Sequence, residues 1–160
     1  DSIAVKNLRK EAKKRKIDPK RIIFAKHMSM TNHFARHKCA DLFIDTFPYG
    51  AHTTCSDSLW AGLPVVTLMG KSFASRVASS LLNAMDLDEL ITTTEKEYEK
   101  LIIEFANNSY RLKEIRNKLH KNIPTKPLFN TKLYTKNIEL AYTKIYEKNL
   151  NKLPLENIEI

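Results

Sequence analysis

The sequence predicts an α/β fold: a Rossmann-like parallel sheet with helices on both faces. Two observations carry the prediction. Short apolar runs, RIIFA (21–25), DLFIDTF (41–47) and LPVVTLM (63–69), alternate with segments whose apolar residues recur at helical spacing. The runs are also apolar almost throughout rather than alternating with polar residues, as expected of strands covered on both faces, and strands alternating with helices pair in parallel. Right-handed crossovers then build a Rossmann-like half.

The elements follow in order. A helix is expected from about Val5 to Lys16, with Leu8 and Ala12 on one face, broken by Asp18-Pro19. RIIFA reads as a short buried strand, KHMSM as a loop, and NHFARHKCA as a helix with Thr31 or Ser29 as its N-cap. DLFIDTF is the next strand. After a Pro-Tyr-Gly loop, a helix begins near His52–Thr54 and runs to Gly62, a C-terminal capping position. LPVVTLM is the following strand and KSFASRVASSLLNAM the helix after it. A short strand around Leu90–Thr92 leads into helices at about Thr94–Asn107 and Ser109–Lys121. In FNTKLYTKNIELAYTKIYEKNL, Leu133, Ile138, Ala141 and Ile145 fall at helical spacing. No internal repeat or low-complexity linker interrupts the chain.

Composition bounds the function. At 160 residues, 42% hydrophobic and 28% charged, the chain has the make-up of one ordinary globular domain. No apolar run approaches the roughly 18–20 residues that span a bilayer, and the start has no signal-peptide core. The absence of an initial methionine suggests a piece of a longer protein. Cys39 and Cys55 form neither a metal-ligand spacing nor a disulfide framework, so reduced thiols in a cytoplasmic protein are expected. Residues 1–38 hold twelve Lys and Arg against three acids. That basic start is read as the solvated face of an amphipathic helix, because no aromatics are interleaved for stacking on bases, and no nucleic-acid partner is expected.

The chemistry gathers in FPYGAHTTCSDSLWAG (47–62), which holds two of the three glycines, Gly50 and Gly62. In open parallel sheets ligands bind outside the carboxyl ends of the strands, and this segment runs from such an end into a helix. A helix N-terminus offers unpaired N–H groups and a positive dipole end to phosphate. Thr53 and Thr54 add hydroxyl donors, His52 a ring N–H, and Asp57 an acceptor for ribose hydroxyls. Together they read as a cradle for a nucleoside diphosphate; the plain alternative is Thr53 as an N-cap and Gly50 as a turn residue. Neither GxxxxGKS nor GxGxxG occurs, which excludes a P-loop and the common dinucleotide fingerprint. His33 and His37 are spaced to share a metal, but no third ligand accompanies them, and no metal is expected. Asp86 and Asp88, a DLD at a helix end, read as surface termination. His33 and Arg36 lie on neighbouring parts of one helix surface, suited to stacking on a base and bonding its edge.

The order of these motifs, RIIF, then NHFARHKCADLFIDTFPYGAHTTCSDSLWAGLPVVTLMGKSFASRVASSLL, then PLFNTKLYT, resembles the C-terminal part of the O-linked N-acetylglucosaminyltransferase family, bacterial members with tetratricopeptide repeats included. The resemblance covers about Arg21 to Tyr146. It implies the C-terminal half of a GT-B glycosyltransferase, with residues 1–128 as the donor-binding half. Residues 129–160 then form a C-terminal helix and tail that either returns toward the other half or packs on its own domain. By the same resemblance His52, Thr53 and Thr54 contact the donor diphosphate and Asp57 the ribose. His33 stacks on uracil, while Arg36 and the Met28 backbone address its edge. A ribose-proximal lysine of the family falls at Met30, and the loop reads PYGAHTT where many relatives carry an asparagine–glycine pair.

The implied activity is transfer of N-acetylglucosamine from a UDP-sugar to protein Ser/Thr hydroxyls with inversion, without a cation or other cofactor. A different UDP-hexose or acceptor, or a non-catalytic nucleotide-binding scaffold, are the alternatives. The family's first Rossmann half, its repeats and a diphosphate-binding lysine fall outside these residues. The protein acceptor is therefore expected to bind elsewhere, no catalytic residue is assigned, and the chain alone is expected to be inactive.

Overall fold

A computed structural model describes residues 2–160. The chain divides into two compact units, Asp1–His33 and Phe34–Ile160.

In the first unit, helix α1 (Ser2–Lys14) buries Ala12 and leaves Ile3 and Leu8 exposed. Glu11 takes Lys14 and Arg15 one turn on, an exposed cluster that solvent screens. The helix stops at Lys14, ahead of the expected break at Asp18-Pro19: Lys16 turns left-handed at φ 59 and the Ile17 amide donates to the Ala12 carbonyl at 3.0 Å. Asp18 instead starts the next turn. Its carboxylate accepts the Lys20 amide at 2.9 Å and caps a 3-10 turn over Pro19–Arg21. The expected strand RIIFA does not form. Arg21 is spent in that turn, and the Ile22 amide bonds back to the Pro19 carbonyl at 3.2 Å. Ile23 stands 87% exposed, and residues 21–25 join none of the strands among the described residues. A strand needs a partner as well as an apolar run. The Arg9 guanidinium lies 5.5 Å over the Phe24 ring.

The boundary between the two units, His33 to Phe34, falls in sequence within helix α2 (Met30–His37). Of its two candidate caps Ser29 serves: its Oγ accepts the Asn32 amide at 3.4 Å and its carbonyl the His33 amide at 2.8 Å.

The second unit is built on strands β1 (Phe43–Ile44), β2 (Val65–Leu68) and β3 (Ile91–Thr92), in the order β1-β2-β3 and parallel throughout. Phe43 pairs with Val65, and Thr67 with Ile91. Successive strand residues point to opposite faces, and Val65, Val66 and Thr67 are all buried. Both faces of β2 are therefore covered, as the unbroken apolar run requires. Helices α3 (Thr53–Trp60) and α4 (Val77–Ala84) pack on β2 and on each other. Helix α5 (Glu95–Asn107) also packs on β2, and α6 (Ser109–Asn122) packs on α5. One core runs through Leu59 of α3, Val65 and Val66 of β2, Leu82 of α4, Phe105 of α5 and Leu119 of α6. By side-chain burial each large member contributes about 1.5–3 kcal/mol.

Helix ends are set by local chemistry. Helix α3 closes in a Schellman turn, with Leu63 N–H donating to the Ser58 carbonyl at 2.9 Å and Gly62 N–H to the Leu59 carbonyl at 3.0 Å. Gly62 sits there at φ +81, and a Cβ would come within 2.5 Å of the His120 ring. Helix α4 ends by the same device with Asp86 at φ 57. The Asp86 carboxylate meets Lys126 at 2.9 Å, and that hydrogen bond and charge lower its pKa. Thr94 and Glu97 form a full capping box at the start of α5. The terminal helix α7 (Thr131–Leu150) packs on the turn Pro127–Phe129 before it and buries none of its own residues.

Candidate functional site

The loop leaving β1 returns over the strand end and enters α3, and Asp45 determines its shape. This residue is 3% exposed. One carboxylate oxygen accepts the amides of Thr46 at 2.8 Å and Ala51 at 2.7 Å. The other accepts the Thr67 hydroxyl at 2.7 Å, from the neighbouring strand. A buried carboxylate is tolerable only when its lone pairs are engaged in this way. The Tyr98 hydroxyl donates to the Asp45 carbonyl from α5. Gly50 must approach closely: its amide donates to the Ala74 carbonyl at 3.0 Å, and a Cβ there would lie 3.1 Å from Asp45 Oδ2.

This folding delivers His52 to the N-cap of α3. Its ring stacks on Tyr49 (centroids 5.2 Å apart, planes at 16°) and meets the Phe73 ring edge-on at 5.9 Å. Its Nε2 lies 3.3 Å from the Ala74 carbonyl. The first amide to bond back along α3 is that of Cys55, to the His52 carbonyl at 3.1 Å. Thr53 and Thr54, both exposed, thus open the helix where its dipole is positive. His52, Thr53 and Thr54 line one cavity of about 410 Å³ with Asp45, Tyr49 and Gly50. A second depression of about 430 Å³ lies at the ends of β2 and β3, lined by Phe47, Gly70, Lys71, Ser72 and Thr93 among others.

Asp57 is half-buried one turn further along α3. Its spacing, i+4 from Thr53 and i+3 from Thr54, puts it on their side of the helix. Cys55 points the other way, into the core. Burial first, and the Asp45 charge second, push its thiol up to about 12, so it offers no nucleophile. Arg36 is half-buried on α2 within the second unit, outside the lining of the His52 cavity. Met28 and His33, the other expected base contacts, are half-buried in the first unit. Among the described residues no group of three or more His, Cys, Asp and Glu is placed to hold a metal, and no helix is long and apolar enough to cross a membrane.

Sequence reasoning passed over Asp45, Tyr49 and Phe73. Asp45 had a signal, an acidic residue closing the apolar run DLFID. The aromatic pair had none, since Phe73 reaches His52 only through the docking of the loop after β2.

The chain is 32% identical over 152 residues to the Caenorhabditis elegans UDP-N-acetylglucosamine–peptide N-acetylglucosaminyltransferase, covering 95% of this chain and 13% of that protein. It is 36% identical over 131 residues to a probable enzyme of the same name, SEC, from Arabidopsis thaliana, covering 81% of this chain and 13% of that protein. The chain therefore spans about an eighth of the length of the curated relatives it matches. Among solved structures, a mutant O-GlcNAc transferase of Thermobaculum terrenum superposes with a TM-score of 0.83 at 29% identity, over 91% of this chain and 28% of that one. The fold is thus the Rossmann-like α/β half expected from the strand–helix alternation. The sequence profile of glycosyl transferase family 41 matches residues 2–138, and the chain belongs to that family.

Proposed function

We propose that this chain is the UDP-sugar-binding part of an inverting protein glycosyltransferase that transfers N-acetylglucosamine to Ser/Thr hydroxyls. One observation carries the reading. His52, Thr53 and Thr54 converge at the opening turn of α3, at the carboxyl end of β1, on a loop held by a buried carboxylate. In this reading the α3 amides and the threonine hydroxyls take the donor diphosphate. Asp57 takes the ribose hydroxyls, and Met28, His33 and Arg36 take the uracil. The relatives named above, whose names specify UDP-N-acetylglucosamine and a peptide acceptor, support the choice of donor and acceptor.

The chemistry asked of these residues is leaving-group stabilisation. The acceptor oxygen bonds to the anomeric carbon as its bond to the β-phosphate oxygen breaks. The electron pair leaves on UDP, and the acceptor proton passes to a base outside this chain. Charge accumulates on the diphosphate, where hydrogen bonds to a charged group contribute about 1.5–3 kcal/mol each and a helix dipole about 0.3–1 kcal/mol. No cation is required for that role. Acceptor binding, tetratricopeptide repeats and the facing Rossmann half belong to the rest of a cytoplasmic protein, and this chain alone is inactive. The terminal segment 129–160, whose helix buries nothing of its own, reaches toward that other half.

Calorimetric titration with UDP, with ADP alongside, tests the proposal. Saturable binding selective for UDP, lost in Arg36→Ala and in His52→Ala, is the expected result. No binding at millimolar UDP, or equal binding of ADP, would overturn the assignment of base and diphosphate recognition to these residues. A comparison of UDP-N-acetylglucosamine with UDP-glucose then fixes the sugar.

A further inference from the structure

His52 is held on three sides, and the nature of one of its contacts restricts what the ring can do. The Ala74 carbonyl carries no proton, so its contact with Nε2 at 3.3 Å is a hydrogen bond only when Nε2 bears the hydrogen. That carbonyl also accepts the Gly50 amide at 3.0 Å, which fixes its position. Tyr49 lies flat against the imidazole, and its own carbonyl is tied by the Thr46 hydroxyl at 3.0 Å. Phe73 abuts the ring edge-on. A neutral imidazole has one N–H. With that N–H committed to Ala74, Nδ1 presents a lone pair, which repels a phosphate oxygen.

We propose that Tyr49 is a positioning residue which, with the Ala74 carbonyl, locks His52 as the Nε2–H tautomer, so that His52 donates to a bound diphosphate through Nδ1 only as the imidazolium. Donor binding is then coupled to uptake of one proton at His52. The inference rests on the donor-binding reading of the site. It assigns to Tyr49 and the loop after β2 a part that neither the family match nor the relatives' names describe. The charged and titratable groups on the elements around the ring are Asp45 and Tyr49 on its own loop, Cys55 and Asp57 on α3, and Lys71 and Arg76 on the loop after β2; Cys55 is buried in the core. Asp45 is occupied by Thr46, Ala51 and Thr67, and an Arg76 guanidinium nitrogen contacts the Gly70 carbonyl at 3.4 Å. Among the described residues the ring nitrogen contact of His52 is with a carbonyl.

Two readouts test this. In the unliganded chain at mildly alkaline pH, nitrogen–proton correlation spectra of His52 should show Nε2 protonated and Nδ1 bare. Tyr49→Phe keeps the stack and should keep the tautomer, whereas Tyr49→Ala should give a mixture. Tyr49 is 66% exposed, so its truncation leaves the core intact. The second readout is calorimetry with UDP-N-acetylglucosamine, whose diphosphate is esterified at both ends and does not titrate near neutrality. Measured in buffers of different ionisation enthalpy, proton uptake should approach one per ligand above the range where imidazoles change charge. Affinity should then rise by up to about tenfold per pH unit as pH falls. In Tyr49→Ala the uptake should fall well below one, because the neutral Nδ1–H tautomer becomes available as a donor.

A wild-type ring with Nδ1 protonated, or tight binding without proton uptake, overturns the inference. A locked Nε2–H tautomer in a chain that binds no UDP-sugar overturns the donor-site reading and the coupling with it. The spectra of the free chain distinguish that outcome from failure of the lock.

Discussion

The Asp45 carboxylate accepts the Ala51 amide at 2.7 Å, and this bond, spanning six residues, folds the β1–α3 loop back over the strand end. The same carboxylate takes Thr67 from the adjacent strand, so the loop that presents His52 is anchored to the centre of the sheet. Replacing Asp45 removes acceptors from three donors at once. Asp45→Ala should cost about 1–3 kcal/mol for each donor left without a partner. Asp45→Asn, which keeps one oxygen for the two amides, should cost less. Urea unfolding checks both, and equal losses in the two variants would argue against the anchoring role.

Gly62 combines a left-handed backbone with a crowded flank, and the two can be separated. Gly62→Ala should lose about 1–2 kcal/mol from the left-handed conformation, plus the cost of moving the His120 ring that lies 2.5 Å from the new Cβ. In a His120→Ala background the second contribution should vanish and the first remain. A double-mutant cycle on unfolding free energies reads the difference.

Much of the α/β plan was legible because it rests on local pattern. The run LPVVTLM became β2, the strand buried on both faces. Thr94 three residues before Glu97 became a capping box, and Gly62 a helix stop. Where the reading failed, the deciding partner is remote in sequence. RIIFA has a strand's composition, but its extended residues join no strand among the described residues. DLFIDTF shortens to Phe43–Ile44 because Asp45, pairing only its own amide with Val66, turns its side chain to loop and sheet donors six and 22 residues on. The same holds at the site. The run HTT marked the helix N-terminus from sequence alone. Its orientation by Tyr49, Phe73 and Ala74 depends on a loop that follows a different strand, which no local pattern encodes.

Alkaline pH should destabilise the chain through two buried acids. Burial, with the Asp45 charge second, raises Tyr98 from 10.0 to about 12 and Cys55 from 9.0 to about 12. Each group is raised relative to its unfolded value, so its contribution is complete below that value and is lost as pH rises through the folded one. Unfolding free energy should therefore decline from about pH 9 toward pH 12. Tyr98→Phe should lower stability by about 1 kcal/mol at neutral pH, through loss of its bond to the Asp45 carbonyl. It should also make the alkaline decline shallower. Denaturation midpoints at neutral and alkaline pH decide the matter, and an unchanged slope in Tyr98→Phe would assign the decline to Cys55 or to neither.

The placement of Asp57 predicts a specificity that can be read without any catalysis. It lies one turn into α3, on the side of Thr53 and Thr54. A carboxylate beside a ribose accepts from its hydroxyls, and deletion of one such hydroxyl should weaken binding about tenfold, the equivalent of about 1.4 kcal/mol. UDP should therefore bind more tightly than 2′-deoxy-UDP or 3′-deoxy-UDP, whichever lacks the bonded hydroxyl. Asp57→Ala should bring the three ligands to similar affinity by weakening only those that carry the bonded hydroxyl. Thr54→Val, which removes the hydroxyl proposed to donate to the diphosphate, should weaken all three by a common factor and preserve the ratio. Competition titrations measure both patterns on the same chain. Preference for UDP persisting in Asp57→Ala would move ribose recognition to another residue, while leaving the diphosphate role of His52, Thr53 and Thr54 to stand on the Thr54→Val result.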